Sequence, residues 1–185
     1  WQLAGRLPDV VTKPDGTPCV LALLPGKKIK ELDYGKRIPL FLQWALLRLD
    51  PALADQPVAI AWLVNEPPGD DAPWQAWEHS WQQADTPNRE SMHVQLTASV
   101  IELLALFVQA QAQPSAYFPK TAAARDPAKA WLSGFSSMGE RDYAPGYARL
   151  LAGDATFSND AEQAALQTVA DRIEAALALP LGDAA

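Results

Sequence analysis

The sequence predicts a mixed α/β (α+β) fold, a small mixed sheet flanked by helices with a helical C-terminal third. Three observations predict it. Short apolar runs bounded by Pro and Gly fill the first third, and helical periodicity fills the last. Apolar residues make up 49% of the 185 residues and charged residues 20%, which places the chain among globular proteins. No internal repeat is visible, and each polar stretch is loop-sized, so residues 1–185 read as a single domain.

The first strand is expected over Trp1–Val11. Lys13-Pro14-Asp15-Gly16 then supplies a tight turn, since Pro presets φ and Gly accepts a positive φ. Cys19–Leu24 is a continuous apolar run of strand length, closed by Pro25-Gly26, so the two segments form a hairpin around a buried strand. A polar, basic connection covers Lys27–Lys36. Ile38–Leu49 is the first clear helix, with Pro39 suited to its first turn and a face of Leu42, Leu46 and Leu49 broadened by Ile38, Phe41, Ala45 and Leu47. Asp50-Pro51 ends it. Pro57–Val64 is a second buried strand, and Asn65–Pro73 reads as a loop.

Trp74, Trp77 and Trp81 are spaced by three and four, which predicts a helix over Pro73–Gln83, followed by a polar loop at Asp85–Glu90. Thr97 or Ser99 caps the next, strongly apolar helix, which runs to about Gln111; Ser99 and Glu102 fit a capping box. Gln109–Ser115 is its polar exit. Asp126-Pro127 starts a helix through Trp131 and Phe135, and Ala144–Leu151 gives another, stopped by Gly153. The final helix is capped by Ser158, buries Leu166, Val169, Ile173 and Leu177, and ends at Pro180 and Gly182.

The charge balance excludes some functions. Twenty-two acidic residues against 15 basic ones give −7, which disfavours an independent strong grip on a phosphate backbone. One cysteine, Cys19, excludes a disulfide framework and reads as a small hydrophobe. Two histidines, His79 and His93, leave little for a His-based metal cage. No uninterrupted apolar run reaches the roughly 18 residues of a membrane span. The opening at Trp1 reads as a strand with no signal segment, so the chain is expected to be an excised piece of something longer.

Few motifs carry chemistry. Gly134-Phe135-Ser136-Ser137-Met138-Gly139 fails as a nucleophile elbow, because Met138 stands where the second Gly is needed. The Trp74/Trp77/Trp81 stripe is either core or a platform for a partner protein; Asp70, Asp71 and Glu78 nearby argue against base stacking. Lys27, Lys28 and Lys30 form the one basic cluster, either a solvated loop or a contact to a DNA backbone.

The order of strand with Gly5-Arg6-Leu7, turn, buried strand, basic loop and amphipathic helix resembles the core of the RecB-type exonucleases, a PD-(D/E)XK restriction-endonuclease-like fold. In that family an Asp follows the Gly-Arg-hydrophobic step, Asp/Glu-x-Lys lies on the next strand, and a Gln or Tyr on the following helix. Two carboxylates there hold Mg²⁺, and the lysine positions the attacking water. Here the pattern is degenerate: Pro8 replaces the Asp, Ala22 and Leu23 lie in a strand without carboxylate or lysine, and Gln43 is left on the helix with nothing to serve. Asp9, with Asp33-Tyr34-Gly35-Lys36, loosely suggests a migrated site for a live Mg-dependent nuclease.

Trp1-Gln2-Leu3-Ala4-Gly5, Gly35–Leu47, Tyr117-Phe118-Pro119-Lys120-Thr121-Ala122 with Trp131-Leu132, and Tyr147, Leu150, Gly153 and Phe157 resemble, in order and spacing, the C-terminal domain of the RecC family, the gamma chains of exodeoxyribonuclease V. The resemblance covers nearly the whole chain, with Trp74–Arg89 as an insertion. It implies a non-catalytic domain of a bacterial, cytoplasmic helicase–nuclease complex that repairs double-strand breaks by recombination. The implied partners are RecB-type and RecD-type subunits, double-stranded DNA ends and the separated strands, with no membrane. No cofactor is expected in this domain, Mg and ATP being used by the partner subunits. A plain protein-interaction module is the other alternative.

Overall fold

The structure, a computed structural model, describes residues 7–25, 33–53, 56–65, 75–80, 86–112, 118–132, 140 and 160–181. The order is β1 (Val10–Thr12), β2 (Pro18–Pro25), α1 (Tyr34–Leu49), a 3₁₀ turn (Pro51–Leu53), β3 (Ala59–Asn65), β4 (Gln75–Ser80), α2 (Thr86–Ala112), α3 (Pro119–Ala122), α4 (Pro127–Leu132) and α5 (Asp160–Leu181). The chain is mixed α/β, and its four strands form one mixed sheet in the order β1-β2-β3-β4.

Two compact units divide the chain. One holds the sheet, α1 from Lys36 and α2 as far as Thr97; the other holds Asp33–Gly35, α2 from Ala98, and α3, α4 and α5 as far as Ala178.

The sheet is built from local rules outward. β1 and β2 pair antiparallel with Val10 opposite Val20 and Thr12 opposite Pro18. Their turn closes with Gly16 N–H donating to the Lys13 carbonyl and Lys13 N–H to the Thr17 carbonyl, each at 2.9 Å. Gly16 has φ +87°, a region a Cβ makes costly, so glycine belongs there. Asp15 Oδ1 accepts the Thr17 N–H at 2.9 Å and completes an Asx turn. β2 then pairs parallel with β3, Cys19 opposite Ala59 through Pro25 opposite Asn65, with α1 as the crossover. Cys19 and Val20 are buried, as are Ala59, Ile60, Ala61 and Trp62 in succession. Consecutive burial covers both sheet faces, which is why these strands are written as unbroken apolar runs.

α1 differs from its expected form. It starts at Tyr34, so Pro39 lies inside the helix and not in its first turn. The Gly35 carbonyl therefore loses its residue-39 donor. The buried face is Leu40, Phe41, Trp44 and Ala45, while Leu42 is half-buried and Leu46 exposed. Trp44 decides this rotation: its indole N–H donates to the Val58 carbonyl at 2.9 Å, and its ring lies 6.2 Å from that of Phe41.

Other expectations are corrected. β1 begins at Val10, because Pro8 has no N–H for a ladder and a turn occupies Pro8-Asp9. The helix expected over Pro73–Gln83 is instead β4, antiparallel to β3 with Trp77 opposite Trp62. An aromatic-rich segment suits a strand, and the β3 edge supplies the hydrogen-bond partners that override the helical spacing. α2 begins at Thr86, absorbing the expected Asp85–Glu90 loop, with Pro87 in its opening turn. Ser99 is therefore a buried mid-helix residue, not a cap, and Glu102 pairs with Arg172 of α5. α2 also extends to Ala112, into the expected polar exit at Gln109–Ser115. Residues 93–112 are long and apolar enough on average to cross a membrane, because their Gln, Ser and Thr dilute the run without adding charge. α3 was not foreseen. α5 buries Leu166, Ile173 and Leu177 as expected, with Ala170 and Ala176, while Val169 is half-buried; it runs through Pro180 to Leu181, and the expected cap Ser158 lies outside the described residues.

Trp1–Arg6, Ser136 and the expected Ala144–Leu151 helix lie outside the described residues.

Two outcomes check this account. Trp44→Phe leaves the Val58 carbonyl without its indole donor in a buried site and lowers stability by about 1–3 kcal/mol in urea unfolding. Thr17, through its backbone N–H first and then its side chain, holds the Asp15 carboxyl below the usual carboxylate range. A carboxyl depressed in the folded state stabilises above its unfolded pKa and loses that effect as pH falls through the folded value. The melting-temperature gap between wild type and Asp15→Ala is therefore expected at neutral pH and shrinks on acidification below the carboxylate range.

Candidate functional site

The residues that the sequence assigns to a degenerate nuclease site fall on three elements: the turn before β1, the middle of β2, and α1. Asp9 precedes β1, and its carbonyl accepts the Leu21 N–H at 2.8 Å, one step along the ladder from the Val10–Val20 pair. Gln43 reaches this point from α1. Its Nε2 donates to Asp9 Oδ2 at 3.0 Å, and its Oε1 accepts the Asp9 backbone N–H at 3.4 Å. Gln43 therefore does have a partner, contrary to the expectation that it serves nothing. The partner was hidden because 34 residues separate the two, a distance no local pattern spans.

β2 runs beside this pair without a charged group. Leu21 is half-buried and packs on Cys19, Ala59 and Ala61. Leu23, two residues on and hence on the same face as Leu21, is 62% exposed. Ala22 alternates to the opposite face and is half-buried, and Pro8 is exposed in the turn. Leu21 and Leu23 thus have the spacing of an acidic-x-Lys step, but their side chains supply neither an oxygen ligand nor an ammonium. The arrangement offers one solvent-facing carboxylate, already bonded to an amide. Among the described residues no group of three His, Cys, Asp or Glu is placed to share a metal ion.

The remaining candidates are distributed differently. Lys27, Lys28, Lys30, Trp74 and Trp81 lie outside the described residues, and Trp77 is in β4. Cys19 is buried and in no disulfide. The Phe118–Ala122 and Trp131 stretch is structural: the Phe118 and Trp131 rings stack 4.4 Å apart, and Leu166 closes their cluster. Buried Thr121 accepts the Glu140 N–H at 3.4 Å, while Glu140 Oε2 accepts the backbone N–H groups of Lys120 and Thr121 at 3.0 and 3.1 Å. Gly35 allows a close approach here, since a Cβ on it would lie 3.3 Å from that of Pro119. Two segments far apart in sequence meet at that point.

Comparison with protein families, curated proteins and solved structures finds no match to this chain.

If Asp9 marks the place of a lost metal site, two substitutions on β2 rebuild its ligands. Leu21→Glu with Leu23→Lys puts a second carboxylate beside Asp9 and is expected to bind Mn²⁺ in calorimetric titration, with Asp9→Ala abolishing the signal. Absence of binding by the folded double variant would displace the site from this hairpin.

Proposed function

We propose that this chain is a catalytically silent, nuclease-like domain of the RecC type, belonging to the gamma subunit of an exodeoxyribonuclease V and working within a bacterial, cytoplasmic helicase–nuclease assembly. The observation that carries the reading is the hairpin, helix and parallel strand that bring Asp9 and Gln43 together beside Leu21 and Leu23. This supports a PD-(D/E)XK core: the order of elements is that of the nuclease layout, and the helix Gln still lies next to an Asp. What is replaced is the acidic-x-Lys step, and two leucines can neither ligate Mg²⁺ nor orient water.

On this reading the domain guides and helps split DNA and docks neighbouring subunits of the RecB and RecD types, which supply Mg²⁺- and ATP-dependent chemistry. The net charge of −7 fits a domain that relies on neighbours to line a DNA channel. Lys27, Lys28 and Lys30 are its own phosphate contacts, and the Trp74–Trp81 segment meets a partner protein.

Incubation of the protein with linear duplex DNA and Mg²⁺ is expected to give no cleavage. Cleavage lost on Asp9→Ala would make it a live nuclease instead. In the intact assembly, neutralising the three lysines is expected to lower the salt slope of DNA binding by about three. An unchanged slope would favour a protein-interaction module without DNA contact.

A further inference from the structure

The turn between β1 and β2 carries the one Asp-Gly step in the sequence, Asp15-Gly16. In an open chain such a pair modifies itself. The Gly16 nitrogen attacks Asp15 Cγ and a C–N bond forms. The carboxyl hydroxyl leaves as water, taking up the Gly16 amide proton. The product is a succinimide ring, which solvent water reopens at either carbonyl. Opening at the Asp15 backbone carbonyl gives isoaspartate, which routes the main chain through Cβ and lengthens it by one methylene. Glycine favours the attack, because it has no Cβ to shield the nitrogen.

The folded turn holds both reacting groups in other bonds. Gly16 N–H donates to the Lys13 carbonyl at 2.9 Å, so the proton that must leave is already engaged. Asp15 Oδ1 accepts the Thr17 N–H at 2.9 Å, and Lys13 Nζ lies 3.9 Å from Oδ2. Both carboxyl oxygens are therefore directed to partners away from the ring-forming bond. The same contacts, Thr17 first, hold the carboxyl below its usual range and favour the ionised form, which has no hydroxyl to release.

The modification would in turn undo the hairpin. The bonds from Gly16 N–H to the Lys13 carbonyl and from Lys13 N–H to the Thr17 carbonyl fit a main chain of fixed length. An added methylene between Asp15 and Gly16 displaces Thr17 from Lys13, and with it the pairing of Thr12 with Pro18 and Val10 with Val20.

We propose that Asp15-Gly16 is a latent self-modification site: the closed turn blocks succinimide formation, and opening of the turn admits it and leaves an isoaspartyl hairpin that no longer pairs in register.

Ageing the whole chain in water labelled with the heavy oxygen isotope tests this, since each ring opening leaves a labelled oxygen in the peptide that fragmentation mass spectrometry assigns to a residue. Label at Asp15-Gly16 is expected to accumulate about tenfold more slowly in the folded protein than in guanidinium chloride, a factor within reach of the two turn hydrogen bonds. Equal rates overturn the proposal. Asp15→Asn keeps an oxygen for the Thr17 N–H and removes the charge, and its loss of ammonia reports the same ring closure. A folded-state rate about tenfold below the unfolded one is again expected, from the turn geometry alone; no difference overturns the claim that the turn does the blocking. The isoaspartyl form, separated chromatographically and refolded, is expected to melt at a lower temperature than the unmodified chain. An unchanged melt overturns the loss of register.

Discussion

The bond from the Trp44 indole to the Val58 carbonyl is the constraint on which the sheet unit depends. A parallel strand pair cannot be joined by a short turn; its crossover must be long enough to return the chain to the same end of the sheet. α1 fills that crossover, and Trp44 fixes which of its faces is buried and where β3 begins. Once β3 starts at Ala59, its register with β2 follows over seven residue pairs, and its other edge receives β4. The same rotation carries Gln43 towards Asp9. One hydrogen bond thus couples the hydrophobic interior to the polar pair at the surface.

The chemistry of that polar pair is set by its neighbours more than by itself. A carboxylate and an amide in contact are common, and the difference between a metal site and a surface bond lies on the adjacent strand. Leu21 and Leu23 bring neither an oxygen ligand nor an ammonium to that strand, and the Asp9–Gln43 pair lies in an exposed setting. The helical unit has another organisation. There Phe118, Trp131 and Leu166 supply the packing, and Glu140 with Thr121 ties a distant residue to the short α3.

Much of the architecture was legible in the sequence, and the errors have physical sources. The turn at Pro14–Gly16, the buried strands at Cys19 and Ala59, and the stripe of α5 were written in local residue chemistry and were found. Gln75–Ser80 is a strand where a helix is expected because helical spacing is a local signal, whereas pairing with the β3 edge is a tertiary one. Thr97 and Ser99 misled in the same way: a hydroxyl before an apolar run resembles a cap, but the helix nucleated earlier, at Thr86-Pro87. Of the candidate site, Gln43 and Asp9 are each legible in the sequence but their pairing is not, because Asp9 stands one residue from the position the motif assigns and meets Gln43 only through the folded crossover.

The parallel pairing of β2 with β3 also has a kinetic meaning. β1 and β2 can close through the Lys13–Thr17 turn, a local event on the microsecond scale. β3 joins from about forty residues downstream, so its docking carries a loop-closure cost and waits on α1. Until then Cys19–Leu24, uncharged and rich in branched residues, shows one unpaired edge to solvent. Such a segment is a template for pairing between chains. Synthesis order works against that hazard, because α1 emerges before β3 and can begin to shield the strand while its partner is still being made.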